Sequence, residues 1–213
     1  MQSWGGTSDV FNTKGRIKKG ANTYAILSKA KPPYTEKSWT SPGTYTWTCP
    51  QGVSRIRVAV CGGGGGGATA QGSLGVVAKN GGTSSFENLL QATGGQGAYI
   101  EDYFVGEDWA LDFNGGAGGN PNGRRGLSYS SSSNGGTGFA LSFLLSNGTY
   151  GNGGNATYKY GACGGGSGGY NSSYINVNAG STYKFVVGNG GAKGGNGSAG
   201  NAGFVLIAFG GDI

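Results

Sequence analysis

The sequence predicts a mostly β protein with little α-helix, in which a small antiparallel sheet or sandwich is joined to a bundle of polyglycine-II helices. Three observations carry this prediction: alternating apolar segments near both ends of the chain, glycine tracts between them, and a three-residue glycine period in the last tract. Fifty of the 213 residues are glycine, about three times the usual share. Charged residues make up only 11%, whereas disordered chains are usually rich in charge, so the chain is expected to fold.

Residues 1–40 differ in composition from the remainder and are predicted to form a separate arm. They contain seven Lys or Arg and two acidic residues, whereas residues 41–213 are nearly neutral. The arm has few glycines and one short apolar patch, at 24–27. Because nucleic-acid binding requires a basic surface across the folded domain, the sequence argues against a nucleic-acid partner.

Two predicted strands open the glycine-rich domain, and three more close it. Aromatic residues alternate with threonine over 44–48, while 54–61 begins by alternating and ends wholly apolar. The same reasoning predicts strands at 173–178, 182–187 and 204–209. We expect all five to pair in one antiparallel sheet or small sandwich, which would bring the two ends of the glycine-rich region together.

The last glycine tract has an unbroken three-residue period. Its regularly spaced members are Gly188, Gly191, Gly194, Gly197, Gly200 and Gly203. A left-handed polyproline-II-type helix has three residues per turn, so glycines at this spacing would line one face and admit a neighbouring backbone. Such helices have no internal hydrogen bonds, and several short ones packed together would have to satisfy each other's N–H and C=O groups. The alternative is a flexible linker, although such linkers usually lack a period.

Short segments with larger side chains interrupt the glycine tracts between 62 and 171. The segment 83–92 could be a short strand. The segment 99–113 contains five of the nine acidic residues, interleaved with aromatic residues. This composition is typical of a solvated loop or of a recognition loop on a rigid scaffold. Paired carboxylates leave glycoside hydrolysis or calcium binding as alternatives.

Other features argue against catalysis. The chain has no histidine, which removes the commonest general base and the commonest metal ligand. The strand that runs into the glycines of 62–67 formally matches a dinucleotide-binding motif, but residues 68–82 contain too much glycine for the helix that such a site needs. We therefore expect no catalytic residue, no metal site and no cofactor.

The cysteines and the termini give further expectations. Cys49, Cys61 and Cys163 are expected to be free and buried, with a Cys49–Cys61 disulfide as the alternative. The first residues lack the pattern of a signal peptide, and no apolar run has the length of a membrane span. We therefore expect a protein made in a cytoplasm, without membrane insertion.

Three stretches together resemble the glycine-rich domain of bacteriophage tail-fibre tips. They are SPGTYTWTCPQGVSRIRVAVCGGGGGG at 41–67, GGTSSFENLLQATGGQG at 81–97 and VGNGGAKGGNGSAGNAGFVLIAF at 187–209. The chain is most similar to the detachable distal adhesins of T-even-type phages. The resemblance covers about 41–209, and the long acidic segment at 99–113 departs from it.

The resemblance implies a role for each region. In that family polyglycine-II helices stack into a sandwich, and a small N-terminal domain caps the trimeric tail-fibre protein. By position, the arm 1–40 would attach to the fibre and 41–213 would be the receptor-binding domain. The implied attachment residues are Trp4, Phe11, Tyr24, Ile26 and Leu27.

The implied recognition tip consists of the loops 99–113, 127–133, 139–147 and 155–160. The residues predicted to bind the receptor are Tyr99, Tyr103, Phe104, Asp108, Trp109, Phe113, Tyr129, Tyr150, Tyr158 and Tyr160. The partner would be an outer-membrane protein or a surface polysaccharide of a bacterium, and the protein would act in the virion, where it would set the host range. Alternatives are a structural or chaperone component of the fibre tip, an ice-binding protein and a carbohydrate-degrading enzyme.

Overall fold

The computed structural model describes residues 16–19, 22–25, 32–70, 75–105, 108–128, 130–140 and 148–213. Every regular element in these ranges is a β-strand and none is a helix, which confirms the prediction of a mostly β protein with little α-helix. The strands are β1 (Arg16–Lys19), β2 (Asn22–Ala25), β3 (Thr35–Trp39), β4 (Gly43–Thr48), β5 (Arg55–Cys61), β6 (Ala68–Thr69), β7 (Val76–Val77), β8 (Ser84–Phe86), β9 (Leu90–Ala92), β10 (Tyr99–Val105), β11 (Asp108–Asn114), β12 (Ser130–Ser133), β13 (Phe139–Ala140), β14 (Gly148–Tyr150), β15 (Ala156–Cys163), β16 (Tyr170–Asn176), β17 (Thr182–Val187) and β18 (Phe204–Phe209).

Two four-stranded antiparallel sheets form a sandwich. The first has the order β16-β5-β18-β3 and the second the order β4-β17-β8-β9. Apolar side chains of both sheets meet between them, led by Phe86 and Phe185 from the second sheet and Ile56 and Ile207 from the first. All five predicted strands are present, and the segment 83–92 forms the hairpin β8–β9.

Part of the predicted arm belongs to this sandwich. Strand β3 lies at the edge of the first sheet, where Thr35 is opposite Phe209 and Trp39 is opposite Val205. The Trp39 ring contacts Phe185 edge-on, with 4.6 Å between the ring centroids. The boundary at residue 40 is therefore too late, because the chain joins the sandwich at β3.

Before residue 32, the structure describes only residues 16–19 and 22–25 of the arm. Strands β1 and β2 form an antiparallel hairpin, in which Tyr24 is opposite Ile17. The remaining predicted attachment residues lie outside the described residues, and they are Trp4, Phe11, Ile26 and Leu27.

Ten extended segments, which we call the glycine array, lie beside one another and are joined by backbone hydrogen bonds. Two of them, 62–67 and 164–169, are central and are bonded to each other through Gly62 to Gly169 and Gly65 to Gly166. The eight outer segments are 79–82, 93–98, 116–119, 124–127, 134–138, 151–155, 188–194 and 198–203.

The hydrogen bonds of the central segment 62–67 have a period of three. Its successive N–H groups donate to three different neighbours in turn, over N···O distances of 2.8 to 3.0 Å. The acceptors, in order from Gly62 to Gly67, are the carbonyl oxygens of Gly169, Gly82, Asn201, Gly166, Lys79 and Ser198. Its own carbonyl oxygens accept from three further segments, through the N–H groups of Gly95, Gly154 and Gly191 among others. A period of three with bonds only to neighbours is what a polyglycine-II helix would give, and that helical assignment stays a prediction.

The last glycine tract folds back on itself instead of forming one continuous face. The N–H groups of Gly203, Gly200 and Gly197 donate to the carbonyl oxygens of Gly188, Gly191 and Gly194. These nested bonds of 3.0, 2.9 and 3.1 Å pair the two halves of the tract. The chain reverses at Gly195, whose φ of 57° lies in the left-handed region that favours glycine. The period continues through the turn, so the spacing alone did not reveal the reversal.

Side chains of the array replace some backbone hydrogen-bond acceptors. Asn80 Oδ1 accepts from the Gly97 N–H at 2.9 Å, and Asn155 Oδ1 accepts from the Gly135 N–H at 2.8 Å. The Ser167 hydroxyl accepts from the Arg124 N–H at 2.8 Å. Polar side chains of neighbouring segments therefore satisfy N–H groups that have no backbone acceptor.

The three cysteines are free and buried, as predicted, and no disulfide links Cys49 to Cys61. Cys61 lies at the junction of β5 with the array, where Ser84 Oγ donates to its carbonyl oxygen at 2.6 Å and accepts from the Gly188 N–H at 2.8 Å. Burial raises the pKa of the Cys61 thiol to about 12.

Close backbone approach makes the central glycines intolerant of a side chain. A Cβ added at Gly65 would overlap the carbonyl group of Gln96. We expect Gly65→Ala to lower the free energy of unfolding by about 3 kcal/mol or more, the upper range for overpacking. Replacing glycine with alanine also lowers the conformational entropy of the unfolded chain, which would stabilise the folded state by only about 1 kcal/mol. The cost of the overlap exceeds this gain, so the net effect is a loss of stability. Urea unfolding should show this loss, whereas Ala117→Ser, at an exposed position of the same region, should leave the midpoint nearly unchanged.

The raised pKa of Cys61 predicts a loss of stability at alkaline pH. The folded pKa of about 12 exceeds the unfolded value of 9.0, so the thiol favours the folded state fully below pH 9.0 and progressively less up to about 12. The slope is about 1.4 kcal/mol per pH unit for one group. Unfolding free energies measured across this interval should fall more steeply for the wild type than for Cys61→Ser, and equal slopes would contradict the assignment.

Candidate binding face at the far end of the array

The array separates two groups of strands. The segment 62–67 runs from β5 of the sandwich to β6, and the segment 164–169 returns from β15 to β16. Six residues of extended chain span at most roughly 20 Å. We call the strands at the end remote from the sandwich the far end, and they are β6, β7, β10, β11, β12 and β15.

A small core of its own holds the far end together. Its buried members are mainly alanines, with Ile100 as the one large side chain and Cys163 beside it. Half-buried Phe113 and Tyr158 pack against these residues. The predicted tip loops 99–113, 127–133 and 155–160 therefore contribute residues to one region, since β10–β11, β12 and β15 all lie there.

The acidic segment is a β-hairpin and not the loop that its charge indicated. Strands β10 and β11 pair in continuous register from Tyr99 opposite Asn114 to Val105 opposite Asp108. Strand β7 extends the sheet, with Val77 opposite Tyr99. Buried Ile100 is opposite Phe113, and exposed Glu101 is opposite exposed Asp112. At the described base of the hairpin, Ile100 and Phe113 therefore pack on the far-end core, whereas Glu101 and Asp112 face solvent.

The predicted receptor-binding residues of this hairpin occupy different environments. Tyr99 is exposed, with 36% of its surface accessible, whereas Phe113 is half-buried. Gly161, with a φ of 122°, leaves room for the Phe113 ring, which a Cβ at this position would overlap. Phe113 therefore anchors the hairpin.

Four further predicted residues have only their strand positions described. In the hairpin, Tyr103 lies opposite Ala110, Phe104 opposite Trp109 and Asp108 opposite Val105.

The other predicted residues are divided between the two ends. Tyr158 and Tyr160 belong to β15 at the far end, and Tyr129 lies outside the described residues. Tyr150 belongs to β14 and contacts Phe204 of the sandwich edge-on, with ring centroids 5.9 Å apart.

The described part of the segment 139–147, which is residues 139 and 140, accordingly lies away from the far end. Phe139 stacks on Tyr170 with ring centroids 5.0 Å apart, and together with Tyr150 it covers Cys61 and Phe204 on the outer face of the first sheet. Residues 141–147 lie outside the described residues. The structure thus brings together three of the four predicted loops.

Sequence reasoning missed two features of the far-end surface. Val77, outside the predicted tip loops, is exposed at 66% and lies directly opposite Tyr99, and Leu127, within the predicted loop 127–133 but not among the residues predicted to bind, is exposed at 55%. Glu101 and Asp112 form a cross-strand pair of like charges, which is unfavourable in an isolated hairpin. The residues of 108–113 alternate in part between polar and apolar, which was a signal for a strand there, whereas 99–105 does not alternate, so the hairpin and its pairing had no clear signal in the sequence.

The described residues contain no group of three or more His, Cys, Asp or Glu that could hold a metal ion. Nor do these ranges include a helix with the length and apolar character needed to cross a membrane. A glycoside hydrolase needs two carboxylates on either side of a cleft, whereas Glu101 and Asp112 lie side by side on an exposed strand pair.

Comparison of the chain with models of known protein families, with curated protein sequences and with solved structures gave no match.

Proposed function

We propose that this protein is a receptor-binding tip protein of a phage tail fibre, which attaches through its N-terminal arm and binds a bacterial surface receptor through its far end. The resemblance of 41–67, 81–97 and 187–209 to tail-fibre adhesins supplies the class. The observation that carries the proposal is that the arm joins the sandwich at one end of the molecule, whereas the far end lies at the other.

The strand directions support this polarity. Strand β5 runs toward the array, because Gly62 follows Cys61 directly. Strand β18 is antiparallel to β5 and therefore runs away from the array, which puts Phe209 at the outer end of the sandwich. Thr35 is opposite Phe209, and Gly211 donates to the Pro32 carbonyl oxygen at 2.9 Å. The arm thus joins the sandwich at the end farthest from the array.

The surface chemistry of the far end suits protein recognition. Exposed aromatic and apolar side chains, Tyr99 and Val77, lie beside the carboxylates of Glu101 and Asp112. Such a surface fits a receptor loop with an apolar centre and basic residues around it. A scaffold fixed by backbone hydrogen bonds would lose little conformational entropy on binding, which favours affinity from a small contact area.

Reversing the charge of the exposed carboxylates tests the far end. We expect Glu101→Lys with Asp112→Lys to lower binding of the fluorescently labelled protein to receptive bacteria by about tenfold or more, the scale of losing about 1.4 kcal/mol. The measurement is cell-associated fluorescence over a panel of bacterial strains. Both positions are exposed, so the unfolding midpoint should remain near that of the wild type.

The control adds two lysines on the sandwich, outside the far end. Thr44 and Thr46 are exposed on β4 of the sandwich, and Thr44→Lys with Thr46→Lys should leave binding to cells unchanged. If the two double variants bind equally well, or if only the sandwich variant loses binding, the far end is not the receptor site.

Removal of the arm should separate attachment from recognition. Deletion of residues 1–31 leaves β3 in place, and β3 completes the first sheet. The truncated protein should fold and bind cells like the full chain but fail to join fibres in a phage complementation assay. Fibre incorporation of the truncated protein would contradict the attachment role. A longer deletion that includes Thr35–Trp39 should also unfold the sandwich, so it would not be informative.

A further inference from the structure

A polar groove of about 260 Å³ runs along one side of the array. Its floor and walls come from the outer segments 134–138, 151–155 and 198–203, joined by bonds from Gly153 to Gly136 and from Ser198 to Asn155. The side chains that line it are uncharged, and they are Thr137, Asn152, Asn155, Ser198, Ala199 and Asn201.

Hydrogen bonds from backbone N–H groups hold the side-chain amides of Asn152 and Asn155 in fixed orientations. Asn152 Oδ1 accepts from the Gly138 N–H, and Asn155 Oδ1 accepts from the Gly135 N–H at 2.8 Å. Because Oδ1 of each amide accepts from an N–H group of the segment 134–138, the orientation of the whole planar amide, including its Nδ2 donor, is restricted. The groove therefore has amides in fixed positions, repeated at a spacing of three residues, with little side-chain freedom left to lose on binding.

The opposite wall has the same repeat. Ser198 and Asn201 are also three residues apart, and their N–H groups donate to the carbonyl oxygens of Asn155 and Asn152 at 2.8 Å. Equivalent polar groups therefore recur along the groove at the same intervals on both sides. A ligand with a repeating unit could engage successive positions in the same way.

We propose that this groove binds a neutral glycan chain. Amide and hydroxyl side chains both donate and accept hydrogen bonds, as the hydroxyl groups of a sugar do. The lining has no Lys, Arg, Asp or Glu to pair with an ionic ligand and no large apolar side chain to hold a hydrophobic one. A linear carbohydrate, which combines many hydroxyl groups with a repeating backbone, matches this groove best.

The groove is separate from the far-end surface and goes beyond the receptor-binding proposal. None of its lining residues belongs to the far-end strands. On a bacterial surface it would give a second, weak contact with polysaccharide alongside the contact at the far end, and two linked contacts raise the overall affinity through effective concentration. Variants of Glu101 and Asp112 should leave glycan binding intact, so each proposal can fail without the other.

The test is an NMR titration of the full chain with maltohexaose, cellohexaose and mannohexaose. At least one of these neutral hexasaccharides should shift the side-chain amide signals of Asn152 and Asn155 at millimolar concentration. Hexaethylene glycol, of similar length but without sugar hydroxyl groups along the chain, should not shift them. Failure of all three sugars, or an equal effect of hexaethylene glycol, overturns the proposal.

Two matched variants locate the site. Ala199→Leu places a larger side chain in the groove from an exposed position and should weaken sugar binding by about tenfold or more. Ala192→Leu makes the same change at an exposed position of the neighbouring segment, outside the groove, and should bind like the wild type. Wild-type binding by Ala199→Leu would contradict the proposed location. Asn155→Asp keeps an oxygen to accept from Gly135 but removes the amide donor, and it should weaken sugar binding without unfolding the protein.

Discussion

The fold depends on backbones that lie so close together that most positions between them admit only glycine. Each central segment is enclosed by others, and its N–H and C=O groups are paired across these contacts. Ordering one residue costs about 1–2 kcal/mol of backbone entropy, and one hydrogen bond returns a net of about 0.5–1.5 kcal/mol. The hydrogen bonds alone therefore do not outweigh the entropy of ordering so much glycine. The apolar cores of the sandwich and of the far end must supply the remaining free energy. This explains why each array segment lies between these two cores or next to one of them.

The sequence predicted the elements whose pattern is local. Strands β4, β5, β17 and β18 follow from alternation or continuous apolar runs, and burial of all six residues of β18 agrees with its composition. Strand β3 was missed because its sequence, TEKSW, is polar, as suits an edge strand that faces solvent on one side. The reversal at Gly195 was also missed, because a three-residue period is the same in one long segment and in two short ones that face each other.

The candidate site was harder to predict because it depends on contacts distant in the sequence. The acids of 99–113 favoured a loop, and only 108–113 has part of the polar and apolar alternation that indicates a strand. Tyr150 resembled the other tyrosines of the middle region in its surroundings along the chain, yet it packs on Phe204 in the sandwich. The groove was not predicted at all, since its asparagines come from segments that only the folded array brings together.

The array has a consequence for how such a protein can change. Its segments are held by hydrogen bonds to their neighbours, so a connection between two of them can lengthen outward without moving either segment. Loop-closure entropy grows slowly, by about 0.6 kcal/mol for each doubling of length. The hairpin Tyr99–Asn114, which connects the segments 93–98 and 116–119, is one such connection. Insertions and exchanges of whole segments there should therefore cost little stability, while single substitutions of the central glycines should cost much, so variation is directed to the connections and away from the array.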